Sequence, residues 1–128
     1  METENKIFKI QTAFYRLLNE ILKDKNIEIF KILKGNMPNQ FIFIESVKEE
    51  FLQGKYSQFT VVLKFISEAS KILEISGFME KVKFELTKND FENEIMEEII
   101  NLKLLQNVVQ NFQNSGKVEG RMDYICFC

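Results

Sequence analysis

Apolar residues recur every three or four positions in two stretches of this chain, which is the spacing of one face of an α-helix. The stripe in the first stretch consists of Ile7, Ile10, Phe14, Leu17 and Ile21. The stripe in the second stretch consists of Ile72, Ile75, Met79, Val82 and Leu86. Both stretches are therefore predicted to be amphipathic helices that bury one side.

Two details of the second helix lead to further predictions. Ser67 and Ser70 stand at its start, and either hydroxyl can cap the first turn. Gly77 lies inside the helix, where a glycine costs about 1 kcal/mol relative to alanine. Close approach of the helix to a sheet is one reason for a glycine at this position.

Short apolar stretches between and after these helices predict β-strands. Residues 27–33 and 41–44 flank a turn that contains Pro38, the one proline of the chain. Residues 59–67 alternate, so that every second side chain points to the same face. The apolar face of this strand consists of Phe59, Val61, Leu63 and Phe65.

The apolar pattern weakens over residues 45–58, which are rich in glutamate and lysine. This composition predicts a long exposed connection that is mobile in the isolated subunit and becomes ordered on docking.

Near the C-terminus, residues 102–112 and 118–127 flank a polar turn at residues 113–117 that contains Gly116. This arrangement predicts a terminal β-hairpin that folds back and joins the sheet begun by residues 59–67. The last residues, from Tyr124 to Cys128, are apolar, which predicts that this end is docked into a sheet or against a neighbouring subunit.

The order of these elements predicts one α+β domain spanning residues 1–128. Its antiparallel sheet carries the two main helices on one face and ends in the β-hairpin. The hydrophobic fraction of 45% and the charged fraction of 28% suit an ordinary folded protein. A net charge of −2 argues against a dedicated DNA-binding protein, because no basic field gathers phosphates.

Composition also bears on the compartment. No apolar run approaches the roughly 20 residues that cross a bilayer, and the first residues lack the order of a secretion signal. We therefore expect no membrane partner. Cys126 and Cys128 lie two apart on one predicted strand, where they would point to the same face as reduced, half-buried thiols of a cytoplasmic protein.

The residues specify no recognisable catalytic chemistry. The chain contains no histidine, which excludes Cys–His and Ser–His pairs, and its five glycines form no phosphate-binding loop. Residues 91–98 are predicted to be a short helix, on which Glu94 and Glu98 would lie one turn apart and could share a magnesium ion. A solvated acidic face explains these carboxylates better, so we expect a protein that is not an enzyme and has no cofactor.

Three short motifs are spaced along the predicted elements. Pro38 precedes an aromatic strand, Ser67 ends the strand before the second helix, and Phe112, Gly116 and Gly120 are spaced four apart near the C-terminus. With the order of elements, these motifs resemble the tail terminator (tail-completion) family of long-tailed bacteriophages and phage-derived particles.

That resemblance implies a structural role in particle assembly. Members of the family form a ring, generally a hexamer, that docks on the tail tube protein and stops further polymerisation. The ring then offers a surface to the head-completion or connector protein, and DNA passes through it only as cargo. The implied location is the cytoplasm during assembly and the virion tail afterwards.

The two polar segments, residues 45–58 and 113–117, are predicted to contact neighbouring subunits or the tube. The contact residues within them are Lys48, Glu49, Glu50, Lys55, Tyr56, Asn114, Ser115 and Lys117.

Two other functions remain open from the sequence. One is a small intracellular binding protein of phage origin that inhibits a host system as a monomer or dimer. The other is a metal-dependent hydrolase that uses the carboxylates between Asp90 and Glu98.

Overall fold

A computed structural model describes residues 2–53, 56–87, 99–112 and 116–128 of the chain. These residues form five strands and two α-helices. In chain order they are α1 (Glu2–Ile21), β1 (Glu28–Phe30), β2 (Phe41–Gln53), β3 (Tyr56–Glu68), α2 (Ile72–Thr87), β4 (Ile100–Phe112) and β5 (Lys117–Phe127). The predicted α+β class and the terminal hairpin are confirmed, whereas the predicted short helix at residues 91–98 lies outside the described residues.

Both helices form where the apolar periodicity predicts them, and both bury the predicted stripe. On α1, Ile10, Phe14 and Leu17 are fully buried, and on α2, Ile75 and Val82 are fully buried. These side chains join one continuous core with the sheet. Helix formation here follows from the burial of one face, which is the main source of helix stability in small domains.

The five strands form one sheet in the order β1-β2-β3-β5-β4. Three of the four pairings are antiparallel, but β1 runs parallel to β2. The predicted antiparallel sheet is therefore mixed, with one parallel pairing at this edge. The predicted strand at residues 27–33 is also shorter than expected, because Ile32 and Leu33 leave the sheet and are 75% and 52% exposed.

Strands β3 and β5 form the centre of the sheet and pair without interruption from Gln58 opposite Phe127 to Glu68 opposite Lys117. The residues of β3 predicted for one face, Phe59, Val61, Leu63 and Phe65, are all fully buried. The two helices pack on this face, as the sequence predicts. The opposite face of the sheet carries no described helix.

A glycine on β5 allows α2 to approach the sheet. A Cβ atom at Gly120 would overlap the thioether sulfur of Met79 on α2, and it would also touch the Cβ of Phe65. Gly77, which was expected to allow this approach, is exposed and has no neighbour near its absent Cβ. That expectation is wrong because Gly77 lies on the solvent side of α2.

The start of α2 also differs from the prediction. A 3-10 turn, Ala69–Lys71, precedes the helix, and Glu68 is the N-cap residue of that turn, without a capping bond from its side chain. Neither Ser67 nor Ser70 therefore occupies that position. Ser67 is buried, and its hydroxyl accepts a hydrogen bond from the side chain of Gln40 at 3.3 Å.

The predicted long connection at residues 45–58 is wrong for residues 45–53 and 56–58, which the structure describes. Residues 45–53 continue β2, and residues 56–58 begin β3, with cross-strand pairs from Ser46 opposite Val62 to Gln53 opposite Tyr56. Two β-bulges explain why the strand is hard to read in the sequence. Glu45 and Glu50 are the extra residues, and each one shifts the alternation of apolar and polar positions by one.

Strand β4 contains two bulges as well, within about one residue of the levels of the β2 bulges. One extra residue lies between Ile100 and Lys103, and the other is Leu105, between Leu104 and Gln106. Both outer strands therefore follow a longer path than the central pair. Since bulges bend a strand and increase its twist, the two margins of the sheet curve relative to its centre.

The terminal hairpin closes as predicted. Gly116 adopts the left-handed conformation with φ 69°, and its carbonyl accepts a hydrogen bond from the amide of Ala69 at 2.8 Å. The apolar end is docked, because the backbone groups of Cys128 and Ser57 exchange two hydrogen bonds of 3.1 Å. Cys126 and Cys128 are both buried, and neither forms a disulfide. Neither described helix combines the length and the apolarity needed to span a bilayer.

Candidate assembly surface

The face of the sheet opposite the helices carries a compact group of charged side chains. Lys64 of β3 lies at its centre and is only 9% exposed. Its Nζ donates a hydrogen bond to the carboxylate of Glu119 at 2.7 Å and lies 3.3 Å from the carboxylate of Glu45. Glu119 lies on the neighbouring strand β5, on the same face of the sheet as Lys64. Glu45 is the extra residue of a β2 bulge, and this position lets its side chain reach Lys64.

These contacts control the protonation of Lys64. Burial lowers the pKa of its ammonium group, but the hydrogen bond and charge of Glu119, together with the charge of Glu45, outweigh that effect. The pKa of Lys64 therefore lies above its ordinary value of 10.5. The amine stays charged at neutral pH although it is largely removed from water.

A second ion pair lies beside the first on β5. The guanidinium of Arg121 donates two hydrogen bonds to the carboxylate of Asp123, at 2.7 and 3.0 Å. This bidentate contact raises the pKa of Arg121 above its usual range. Asp123 is only 8% exposed, so the pairing compensates the burial of its charge.

Next to these pairs lies a shallow depression of about 350 Å³. It is lined by Lys64, Gln106, Val108, Gln110, Glu119 and Arg121. Both of its cations are already bound to carboxylates of the same chain. The depression therefore presents compensated charge, and its cations are not free to bind phosphate groups.

The predicted contact residues occupy the two ends of the sheet. Lys48, Glu49 and Glu50 lie on β2, and Tyr56 begins β3. Lys117 begins β5 at the other hairpin, and it is exposed. Lys55, Asn114 and Ser115 lie outside the described residues.

The structure does not bring the two predicted contact regions together. The β2–β3 hairpin ends where Gln53 pairs with Tyr56, near the C-terminal end of β5. The β4–β5 hairpin lies beside Glu68, at the opposite end of β3. The length of β3 separates them, which corresponds to roughly 40 Å at the usual rise of a strand.

Sequence reasoning missed the two margins of the sheet. Strand β4 forms one margin, and no described strand pairs with its outer side. At the other margin β1 covers only residues 41–43 of β2, so residues 44–53 also have no described outer partner. One signal was present in the sequence, because residues 104–112 contain no charge, proline or glycine in a chain that is 28% charged.

Exposed apolar side chains accompany both margins. Leu105, the extra residue of a β4 bulge, is 59% exposed. Near the other margin, Phe8 is 62% exposed, and Ile32 and Leu33 follow β1. The ammonium of Lys31 lies 5.4 Å from the ring centre of Phe8, which places this aromatic residue of α1 beside the chain that leaves β1.

The described part of the chain contains no group of three or more histidine, cysteine, aspartate or glutamate side chains arranged to bind a metal ion. The acidic segment around Glu94 and Glu98 lies outside that part.

Comparison with known proteins gives a likeness of fold. No protein family model matches the sequence, and no curated protein sequence matches it. Among solved structures, a chain from the virion of a native gene transfer agent particle is similar, with a TM-score of 0.64. The match covers 91% of this chain and 92% of the other at 8% sequence identity, so it shows a shared fold.

Proposed function

We propose that this protein is a structural component of a phage-like particle, and more specifically a tail terminator that forms a ring on the end of the tail tube. It acts by binding and not by catalysis. The likeness in fold to a chain of a gene transfer agent virion supports the general assignment. The resemblance of the Pro38, Ser67 and Gly116–Gly120 motifs to the tail terminator family supports the specific one.

The observation that carries the proposal is the position of two hairpins at opposite ends of one sheet. A terminator ring must bind the tube on one side and the head-completion protein on the other. A rigid sheet with a hairpin at each end provides two separate contact regions along one axis. Its two margins then remain available for contact with neighbouring copies.

The paired charges on the helix-free face agree with this role. DNA that passes through a ring must not be retained by it, and retention depends on cations that neutralise phosphates. Lys64 and Arg121 are held by Glu119 and Asp123, so this face offers little net attraction to a polyanion.

The proposal is tested by adding the purified protein to tail tubes polymerised from the tube protein of the same particle. We expect electron microscopy to show one ring on one end of each tube, and we expect tube growth to stop. Native mass spectrometry of the released ring gives the number of copies. A chain that stays monomeric or dimeric and leaves tube length unchanged would exclude the terminator role and favour a small binding protein.

A further inference from the structure

The uncharged margin of the sheet points to a specific contact between copies. We propose that β4 of one copy pairs with residues 44–53 of β2 in a second copy, so that the sheet continues from subunit to subunit. This inference rests on the proposed ring and names the surfaces that hold it together.

Strand β4 has the properties of a strand that is covered in its working state. Exposed edge strands are normally protected by charged residues or proline, because their free amide and carbonyl groups recruit other strands. Bulges protect an edge as well, but after the bulge at Leu105 residues 106–112 contain no charge, no proline and no further bulge. The seven residues from 106 to 112 therefore present a continuous row of backbone groups that can pair.

The charge of the β2 margin disfavours its pairing with a second β2 margin. Residues 44–53 of β2 contain three glutamates and one lysine, whereas β4 contains one lysine, Lys103, and no acidic residue. The pairing segment of β4, residues 106–112, carries no charge, so its pairing with the net-negative β2 margin brings no like charges together. Pairing of two β2 margins would bring net-negative segments together, which is unfavourable across a strand pair.

Strand direction is also consistent with a cyclic arrangement. From β2 to β4 the sheet passes through three antiparallel pairings, so β4 runs opposite to β2. Rotation about an axis along the strands preserves direction, so β4 would meet the next copy's β2 in antiparallel orientation. The two surfaces differ, as head-to-tail contacts in a closed ring require.

The proposed pair places Gln110 of one copy opposite Lys48 of the next copy. The shift along the strands that this pairing requires agrees with the geometry of closed sheets. Gln110 and Lys48 both lie on the helix-free face, and their levels along β3 are those of Ile66 and Thr60. Those six residues correspond to ~20 Å along the strand, and four strand spacings correspond to ~19 Å across the sheet. Strands would then be inclined by about 45° to the ring axis, at the upper end of the range for closed sheets.

Disulfide trapping tests this contact. Lys48 and Gln110 are exposed, and cysteines at directly opposed positions of an antiparallel pair can approach disulfide geometry. The two natural thiols are buried, and burial, followed by the neighbouring thiol of Cys128, raises the pKa of Cys126 to about 12. They should therefore stay unreactive under mild oxidation, with the unmodified chain as the control.

The double variant K48C/Q110C, assembled on tail tubes and then oxidised, should give a ladder of covalent multimers that ends at the closed ring. Each single variant alone should remain uncross-linked. An equimolar mixture of the two single variants should give dimers and no larger species. If K48C does not fold, S46C combined with F112C gives the next directly opposed pair in the same register.

The possible failures are distinguishable. Covalent dimers of Q110C alone would show β4 pairing with itself and would overturn the inference. Rings that form normally but give no ladder with either double variant would overturn the inference and leave the terminator role standing. Absence of rings for the unmodified chain on tail tubes would overturn both.

Discussion

At the scale of single residues, the core contains a buried hydroxyl group that has no hydrogen-bond partner among the described residues. The Tyr124 side chain is 2% exposed, its ring lies 5.9 Å from that of Phe14, and its hydroxyl has no hydrogen-bond partner among the described residues. Burial alone raises the pKa of this phenol well above its usual range. A buried hydroxyl without a partner costs about 1–3 kcal/mol, so the ring contributes stability and the oxygen reduces it.

We expect the substitution Tyr124→Phe to raise the free energy of unfolding by about 1 kcal/mol, because it removes the uncompensated oxygen and retains the ring. Urea denaturation followed by far-UV circular dichroism measures the change. Tyr15→Phe is the matched control at a half-buried site and should change stability by less than about 0.5 kcal/mol. A loss of stability in Tyr124→Phe would show that the hydroxyl is bonded in solution.

The ion pair of Lys64 and Glu119 stabilises the fold, in contrast to the Tyr124 hydroxyl. Both side chains are largely buried, with 11% and 17% of their surface exposed, so removal of either one leaves a charge without its main partner. We expect Lys64→Met and Glu119→Gln each to lower the free energy of unfolding by about 1–2 kcal/mol. The double variant should lose less than the sum of the two, and a double-mutant cycle measures this coupling. Strict additivity would contradict the pairing.

The same pair predicts a dependence on pH. The pKa of Lys64 is higher in the folded state than its ordinary value of 10.5, so its stabilisation is fully present below that pH. The contribution is lost as pH rises through the folded-state pKa. The difference in stability between the natural chain and Lys64→Met should therefore be constant near neutral pH and should shrink above pH 10.5.

At the scale of elements, two glycines near α2 have opposite roles. Gly120 of β5 leaves the space that Met79 fills, whereas Gly77 lies on the solvent side of α2 with no neighbour near its absent Cβ. Gly120→Ala should lower the free energy of unfolding by about 1–2 kcal/mol, because the buried Met79 side chain must shift. Gly77→Ala should raise it by about 1 kcal/mol through helix propensity alone. Thermal denaturation of both variants gives the comparison, and equal effects would contradict the packing of α2 on β5.

Elements with an unbroken period could be predicted from the sequence. Both helices and β3 keep one face apolar throughout, and the local pattern therefore determines their position. Strand β2 could not be read past Ile44, because Glu45 and Glu50 each interrupt the alternation. The sequence predicts a longer β1 because the apolar stretch continues through Ile32 and Leu33, although these two residues lie outside the sheet.

The candidate surface was predicted only in part, since it depends on contacts between distant residues. The polar segments were located, but Lys64 and Glu119 are 55 residues apart in the chain, and no local pattern relates them. Which strand forms a margin of a sheet is decided by the order of all five strands. The absence of charge in residues 104–112 was visible in the sequence, but it became meaningful only when β4 was placed at an edge.

At the scale of the whole molecule, stability and assembly involve different strands. The central strands β3 and β5 each have a partner on both sides and carry most of the buried sheet face. Residues 44–53 and 106–112 lie at the margins and have no outer partner among the described residues. Local opening should therefore begin at the margins, because their backbone hydrogen bonds are the least covered.

Hydrogen exchange can follow this division from the free chain to the assembled ring. In the free chain, amides of β3 and β5 should exchange most slowly, and many amides of β4 should exchange fast because their outer side faces solvent. On assembly, protection should increase at residues 44–53 and 106–112, where new strand pairs form, with little change in β3 and β5. Mass spectrometry of peptides from free and tube-bound protein gives both sets of rates. An equal increase across the entire sheet would indicate general stabilisation by binding elsewhere, and it would contradict pairing at the margins.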